Sequence, residues 1–318
     1  MTGARLEQGP PDTRSARRPS GPSAARAAAP RTRSRVHLDA CWLSDGERAA
    51  LRAVIEVDAV GQLPCLSAGR GSRVGVLDHE GRRFVLKRYE EAPLVLWRTL
   101  LRRCRAEREA AALRLVEEAT GNPVRVAGWA QDRWLGLTPS CTLITTQLED
   151  SFDLRRLKHL PDGERRARVK ELLDVLPARV AELHRAGVWV VTLRGKNVLY
   201  RPATREVGLI DLPYARCPVR LTVGHRLYDL GSLFAELERS FSAAELAEFL
   251  GRYRAGSPGL SADEVGRLGP AQVKDMTRTL SHQTSSSRLI RELKRGARRS
   301  RVGQWLTADR YEQSKVDR

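Results

Sequence analysis

Glycine, lysine, glutamate, asparagine and aspartate stand in this 318-residue chain at spacings suited to phosphate chemistry. Gly69-Arg70-Gly71-Ser72 is a short glycine-rich turn, and without a Cβ its backbone N–H groups can approach phosphate oxygens. A G-x-G pair is also what an ordinary turn looks like, and a third glycine is absent. Sixteen residues after Gly71, Lys87 stands among apolar neighbours in Val85-Leu86-Lys87-Arg88-Tyr89, a strand position that holds a cation near a cleft. An inward lysine needs an acidic partner. Glu109, in Arg108-Glu109-Ala110-Ala111, has the order and spacing to supply it from the following helix. A lone lysine at a sheet edge is the plain alternative. Further on, Leu193-Arg194-Gly195-Lys196-Asn197-Val198-Leu199-Tyr200 and Gly208-Leu209-Ile210-Asp211-Leu212 set Asn197 and Asp211 fourteen residues apart, each beside a short apolar run. An amide and a carboxylate so placed can converge on a hard cation, and Mg²⁺ takes such oxygen ligands together with substrate phosphates.

Those side chains need an α+β scaffold with strands first and helices second. Arg73–Asp78 and Arg82–Tyr89 read as strands joined at His79-Glu80-Gly81, a hairpin signal. Pro93 opens a leucine-rich segment, 94–118, that has no internal breaker before Gly121-Asn122-Pro123 and reads as one long helix. The runs 124–129 and 141–147 suit strands. From Gly163 the positions Val169, Leu172, Leu173, Leu176, Val180 and Leu183 keep a helical period, with a kink expected at Pro177. Two brief strands, 198–200 and 207–210, precede amphipathic helices over 227–239 and 243–254. The layout predicts a small β-rich lobe over 37–147, a helical lobe over 148–281, and a cleft between them.

Composition narrows the class. A 41% hydrophobic fraction is too high for a wholly disordered chain, and no run reaches the ~20 apolar residues of a spanning helix. The first twenty residues are polar and basic, unlike a secretory leader. Five scattered cysteines without a C-x-x-C pair argue against a disulfide framework or a zinc cluster and predict a reducing, cytoplasmic setting. The net charge of +18 is uneven. Residues 1–36 carry eight arginines against Glu7 and Asp12, and read as a disordered basic arm; 282–318 carry ten Lys and Arg against four acids, and form a basic tail. Two thirds of the charge therefore lies outside the predicted domain.

The ordered set of glycine-rich hairpin, strand lysine, helix glutamate, L-x-x-x-N-V-L and strand-end aspartate resembles the protein-kinase-like fold. More narrowly, VLKRYEEAP, REAAALRLVEEATGNPV, LITTQLEDSFDLRRL, LHRAG, GKNVLY, LIDL and HRLYDLGSLFAEL resemble the bacterial lipopolysaccharide kinase (Kdo/WaaP) family over roughly residues 60–256. The resemblance implies that Lys87 pairs with Glu109 and holds the phosphates of ATP. It implies that Gly69 and Gly71 cover those phosphates and that the Gln147–Glu149 backbone meets adenine. Asn197 and Asp211 then hold Mg²⁺, Arg194 is a phosphate-contacting cation, and Asp229 braces the catalytic loop.

The match fails at one place. Five residues before the metal-site asparagine the family carries a catalytic aspartate, commonly within His-Gly-Asp, and here the chain reads Val190-Val191-Thr192. A threonine hydroxyl does not titrate near neutral pH and cannot accept a proton as a carboxylate does. Loss of such a base is worth ~10²–10⁴ in rate, which leaves transfer by positioning and electrostatics feasible. Three readings stay open: a kinase acting on a sugar or lipid-linked hydroxyl at the inner membrane face; a pseudokinase that keeps the ATP·Mg²⁺ pocket as a binding module; and a nucleic-acid-binding protein acting through its arms. The last is the weakest, because only 5% of residues are aromatic and the basic runs offer no stacking platform. The basic and apolar stretch 94–105 is either a packed helix with a solvated face or a contact with anionic lipid.

Overall fold

The computed structural model describes residues 35–69 and 71–280. The basic tail, Arg70 and all but the last two residues of the predicted arm lie outside them. Strand β1 (Arg35–Leu38) includes those two residues, so the ordered domain begins earlier than composition suggested. Helix α1 (Asp45–Glu56), which was not expected, opens on a capping box in which Ser44 and Glu47 satisfy each other's backbone N–H groups.

Strands β2 (Cys65–Gly69), β3 (Ser72–His79) and β4 (Arg82–Glu90) form consecutive hairpins. Glu80 and Gly81 both have positive φ, +52° and +77°, as a two-residue turn between the His79–Arg82 pair requires. Helix α2 (Arg105–Thr120) leads through Gly121, at φ +62°, to β5 (Val126–Trp134) and β6 (Leu137–Thr146). The six strands lie in the order β1-β5-β6-β4-β3-β2, and every pair is antiparallel. Phe84, Leu86, Ala127, Ala130 and Ile144 on one sheet face pack with Leu51 and Ile55 of α1. Tyr89, Cys141 and Leu143 on the other join Leu113 and Val116 of α2 in the main core.

A second sheet, β7 (Phe152–Asp153), β8 (Val198–Arg201) and β9 (Glu206–Leu209), sits among α3 (Asp162–Arg185), α4 (Val223–Leu237), α5 (Ala243–Ala255) and α6 (Ala262–Arg267). Helix α3 runs unbroken through Pro177.

The expected helix over 94–118 is a correction. A 3₁₀ segment, Pro93–Thr99, is followed by a turn in which Leu101 has φ +55°, and the α-helix starts only at Arg105. No breaker residue marks that turn. Tertiary bonds fix it: Leu101 N–H donates to Gly136 O (3.2 Å) and Thr138 N–H to Thr99 Oγ1 (2.8 Å). The Cys104 thiol then caps α2 by accepting from Glu107 N–H at 3.3 Å.

Candidate functional site

Lys87 Nζ lies 3.2 Å from Glu109 Oε1 and 2.6 Å from Asp211 Oδ1, and so links β4, α2 and the turn after β9. Glu109 is 1% exposed, and its second oxygen accepts the Tyr89 hydroxyl. A buried carboxylate needs those partners. Its proximity, after burial itself, raises the Tyr89 hydroxyl far above its ordinary range. Burial works against the charge of Asp211, yet Lys87, with Lys196 and Arg105 beyond it, holds the carboxyl below the usual range. Asp211 also has φ +55°, a left-handed backbone that costs energy in any residue with a Cβ.

These groups face a cavity of about 400 Å³. Leu66, Val74, Val85 and Leu143 of the six-stranded sheet and Leu199 and Ile210 beside the smaller one line it, together with Lys87, Glu109, Asn197 and Asp211. Gln147 is part of the wall, and its Oε1 is buried without a hydrogen-bond partner. Its backbone N–H is committed to Arg83 O at 2.9 Å, which leaves Leu148 and Glu149 as the peptide donors of the expected hinge. Gly71 is not among the described residues that line this cavity. Gly69 pairs with Ser72 across the β2–β3 turn. At the β2–β3 hairpin Gly71, at φ +75°, accepts from Glu90 N–H at 3.0 Å. A Cβ at Gly71 would lie 3.0 Å from Glu90 O.

The loop between α3 and β8 carries the remaining candidates. Asp229, on α4 and fully buried, accepts from Val190 N–H (2.8 Å) and Val191 N–H (2.9 Å) and faces His184 Nε2 at 3.3 Å. His184 Nδ1 stands 2.7 Å from the Tyr253 hydroxyl, to which Arg226 donates at 3.1 Å. All groups are satisfied when Tyr253 donates to Nδ1 and Nε2–H donates to Asp229. This bracing holds Val191 at φ +65°, unusual for a β-branched residue, and Thr192 N–H turns back to Val190 O at 2.7 Å. Thr192 Oγ1 donates to Asp211 O at 3.4 Å, and its carbonyl accepts from Asn197 Nδ2 at 2.9 Å. The Asn197 amide also reaches Asp211 O at 3.3 Å, so one side chain ties the loop to the aspartate turn.

Asn197 and Asp211 offer hard oxygen donors. No three His, Cys, Asp or Glu side chains gather as a metal cluster among the described residues. The pair fits Mg²⁺ shared with phosphates and does not fit a cage made by protein alone.

Sequence reasoning missed a second cavity of about 940 Å³ on the other side of Asn197 and Asp211. Thr192 and Arg194 line it, and so do cations from α2 and from the segment after β9. Only Arg103 and Arg105 hinted at it, within the stretch 94–105 that reads either as a packed helix with a solvated face or as a lipid contact.

A search of curated proteins returns no match. Among solved structures, one described as WaaP in complex with acyl carrier protein is similar at TM-score 0.53 and 19% identity, over 79% of this chain and 99% of that one. The fold is thus the α+β, kinase-like arrangement of that protein. The profile of the lipopolysaccharide kinase (Kdo/WaaP) family matches residues 80–253, which takes in Lys87, Glu109, the braced loop and Asp211, and the chain belongs to that family.

Proposed function

We propose that the protein is a kinase-type phosphotransferase that binds ATP with Mg²⁺ in the first cavity. One observation carries the reading: Lys87 bridges Glu109 and Asp211 in the wall of a cavity that also has apolar walls from both sheets. A lysine oriented by a buried carboxylate is poised for phosphate oxygens. Val74, Val85, Leu199 and Ile210 give a planar base apolar surfaces. Asn197 and Asp211 would hold Mg²⁺, which when bound offsets charge on the phosphates. Gly69 and Gly71 act indirectly, by shaping the hairpin beside the cavity, and Arg194 faces the acceptor side.

Thr192 favours a second reading, a nucleotide-binding module without transfer, because no carboxylate stands where a hydroxyl acceptor would lose its proton. Thermal-shift titration with ATP and Mg²⁺, paired with ADP release, separates the readings. Wild type is expected to gain several degrees and Lys87→Ala and Asp211→Ala to gain none. Stabilisation with no turnover on any acceptor supports the binding module. No stabilisation of the wild type contradicts both.

Peripheral contact with anionic membrane is the third part of the proposal. It draws on an exposed apolar ridge where the 3₁₀ turn meets the β5–β6 hairpin. Trp97, Leu100, Leu101, Trp134 and Leu135 are 48–80% exposed. Leu101 and Leu135 both sit at positive φ, +55° and +48°, at the tips of their turns. Arg98, Arg102 and Arg133 flank them. Tryptophans and leucines that enter a bilayer interface beside arginines at headgroup level form a peripheral anchor. Among the described residues no helix is long and apolar enough to cross a membrane.

A further inference from the structure

The second cavity gathers Arg103, Arg105, Arg108, Arg194, Lys196 and Arg216 around Asp211, the single acid among its described lining residues. Four of these six cations have no ion pair among the described residues. Arg108 and Arg194 have no ion pair among the described residues, and Arg105 and Arg216 lie over the rings of Tyr89 (4.3 Å) and Trp189 (4.8 Å). Arg103 is 3.6 Å from Glu107, and Lys196 is 3.9 Å from Asp211. Trp189 lines the same cavity at 6% exposure, and its buried Nε1–H has no partner. So many like charges around one pocket repel one another until an anion enters.

The same pocket holds Thr192, where a hydroxyl acceptor would need a base. We propose that this cavity receives a phosphate monoester and that the phosphate itself is the nucleophile. A phosphate monoester is already largely ionised at neutral pH, its second pKa being about 6. One of its oxygens forms a new bond to the γ-phosphorus of ATP. The bond from that phosphorus to the β,γ-bridging oxygen breaks, and its electron pair leaves on ADP. The product is a diphosphate, and no proton has to be removed from the acceptor. The missing carboxylate is then consistent with the chemistry, since a carboxylate there would repel the acceptor. This deepens the phosphotransferase reading and rests on it for the ATP step, whereas anion binding by the cavity does not.

The test takes the full-length protein with two phosphorylated probes, glucose 1-phosphate and dihexanoyl phosphatidic acid, each beside its unphosphorylated parent. Thermal shift without ATP reads binding, and ³¹P NMR after addition of ATP and Mg²⁺ reads the product. At least one phosphorylated probe is expected to stabilise the wild type in a salt-sensitive way, with neither parent doing so. Which of the two stabilises more tells a sugar phosphate from a lipid phosphate. Diphosphate resonances should appear with that probe. Arg108→Ala with Arg216→Ala should weaken the probe at least tenfold. The shift of the same variant with ATP and Mg²⁺, through a cavity neither arginine lines, shows whether it is folded; Arg194→Ala is the second variant. Equal stabilisation by the neutral parents, undiminished binding in the folded variants, or binding without diphosphate would overturn the proposal. Failure of ATP alone to bind, with the phosphorylated probes still binding, would instead count against the phosphotransferase reading.

Discussion

Lys87 serves two purposes that one substitution separates. It neutralises Glu109, which is almost wholly buried, and it faces the cavity. Lys87→Met should therefore lower the stability of the ligand-free protein by about 3 kcal/mol, because it strands a buried carboxylate, and should also abolish the shift with ATP. Asp211→Asn removes a carboxylate that is 31% exposed and should leave the ligand-free melting temperature nearer the wild type while losing nucleotide binding. Equal melting behaviour of the two variants would contradict this division of roles. Thr192 gives the opposite kind of test. Thr192→Asp brings a negative charge to the basic cavity and should weaken a phosphorylated probe about tenfold by like-charge repulsion, measured by titration. A gain in binding would count against an anionic acceptor. Lys87 and Glu109 were legible in the sequence because they sit in a strand and a helix pattern, and Asn197 and Asp211 because each adjoins a short apolar strand run. The orphaned Gln147 oxygen and the unpartnered Trp189 N–H were not, since a missing partner is a property of packing.

Two elements set the site. Helix α4 presents Asp229 to the loop, where it closes two backbone N–H groups and a histidine. Asp229→Ala leaves those donors buried and unmet, a loss of about 3 kcal/mol by denaturant unfolding. His184 adds a pH signature. Burial lowers its pKa against the pull of Asp229, so the unfolded chain takes up a proton first as pH falls. Stability present above the ordinary value of 6.5 should thus decline as pH drops through 6 toward 5, by up to about 1.4 kcal/mol per pH unit. His184→Gln should flatten that slope, and an unchanged slope would contradict the assignment. The turn at 100–104 is one element that sequence missed. Its leucines read as helix, while bonds to residues 136–138 hold Leu101 outward. Leu101→Ser with Leu135→Ser should reduce binding to anionic vesicles at least tenfold in co-sedimentation while leaving the ATP shift intact, since burying a leucine is worth ~1.5–3 kcal/mol. The β-rich and helical halves were legible because alternation and helical periodicity run long there. Strand β1 and α1 were hidden by their place next to the arginine-rich arm.

At the scale of the whole molecule, the +18 charge divides between the two arms and a domain that carries a third of it. Within the domain, cations converge on two cavities that share Lys196, Asn197 and Asp211, one with a bridging lysine and one ringed by arginine. The exposed apolar ridge ends two residues before Arg103, a lining residue of the second, which suits the proposed delivery of a lipid-borne phosphate from a membrane surface. Removal of residues 1–34 and 281–318 should leave ATP affinity within about twofold and reduce the salt dependence of vesicle binding, which falls with the number of basic contacts. The account turns on nucleotide held by Lys87 and Asp211 with metal help. Isothermal titration of the full-length protein with ATP, in Mg²⁺ and again in EDTA, tests that most directly. Saturable binding at least tenfold tighter in Mg²⁺, and absent in Asp211→Asn, is the predicted result; no binding, or binding indifferent to both the metal and Asp211, would contradict it.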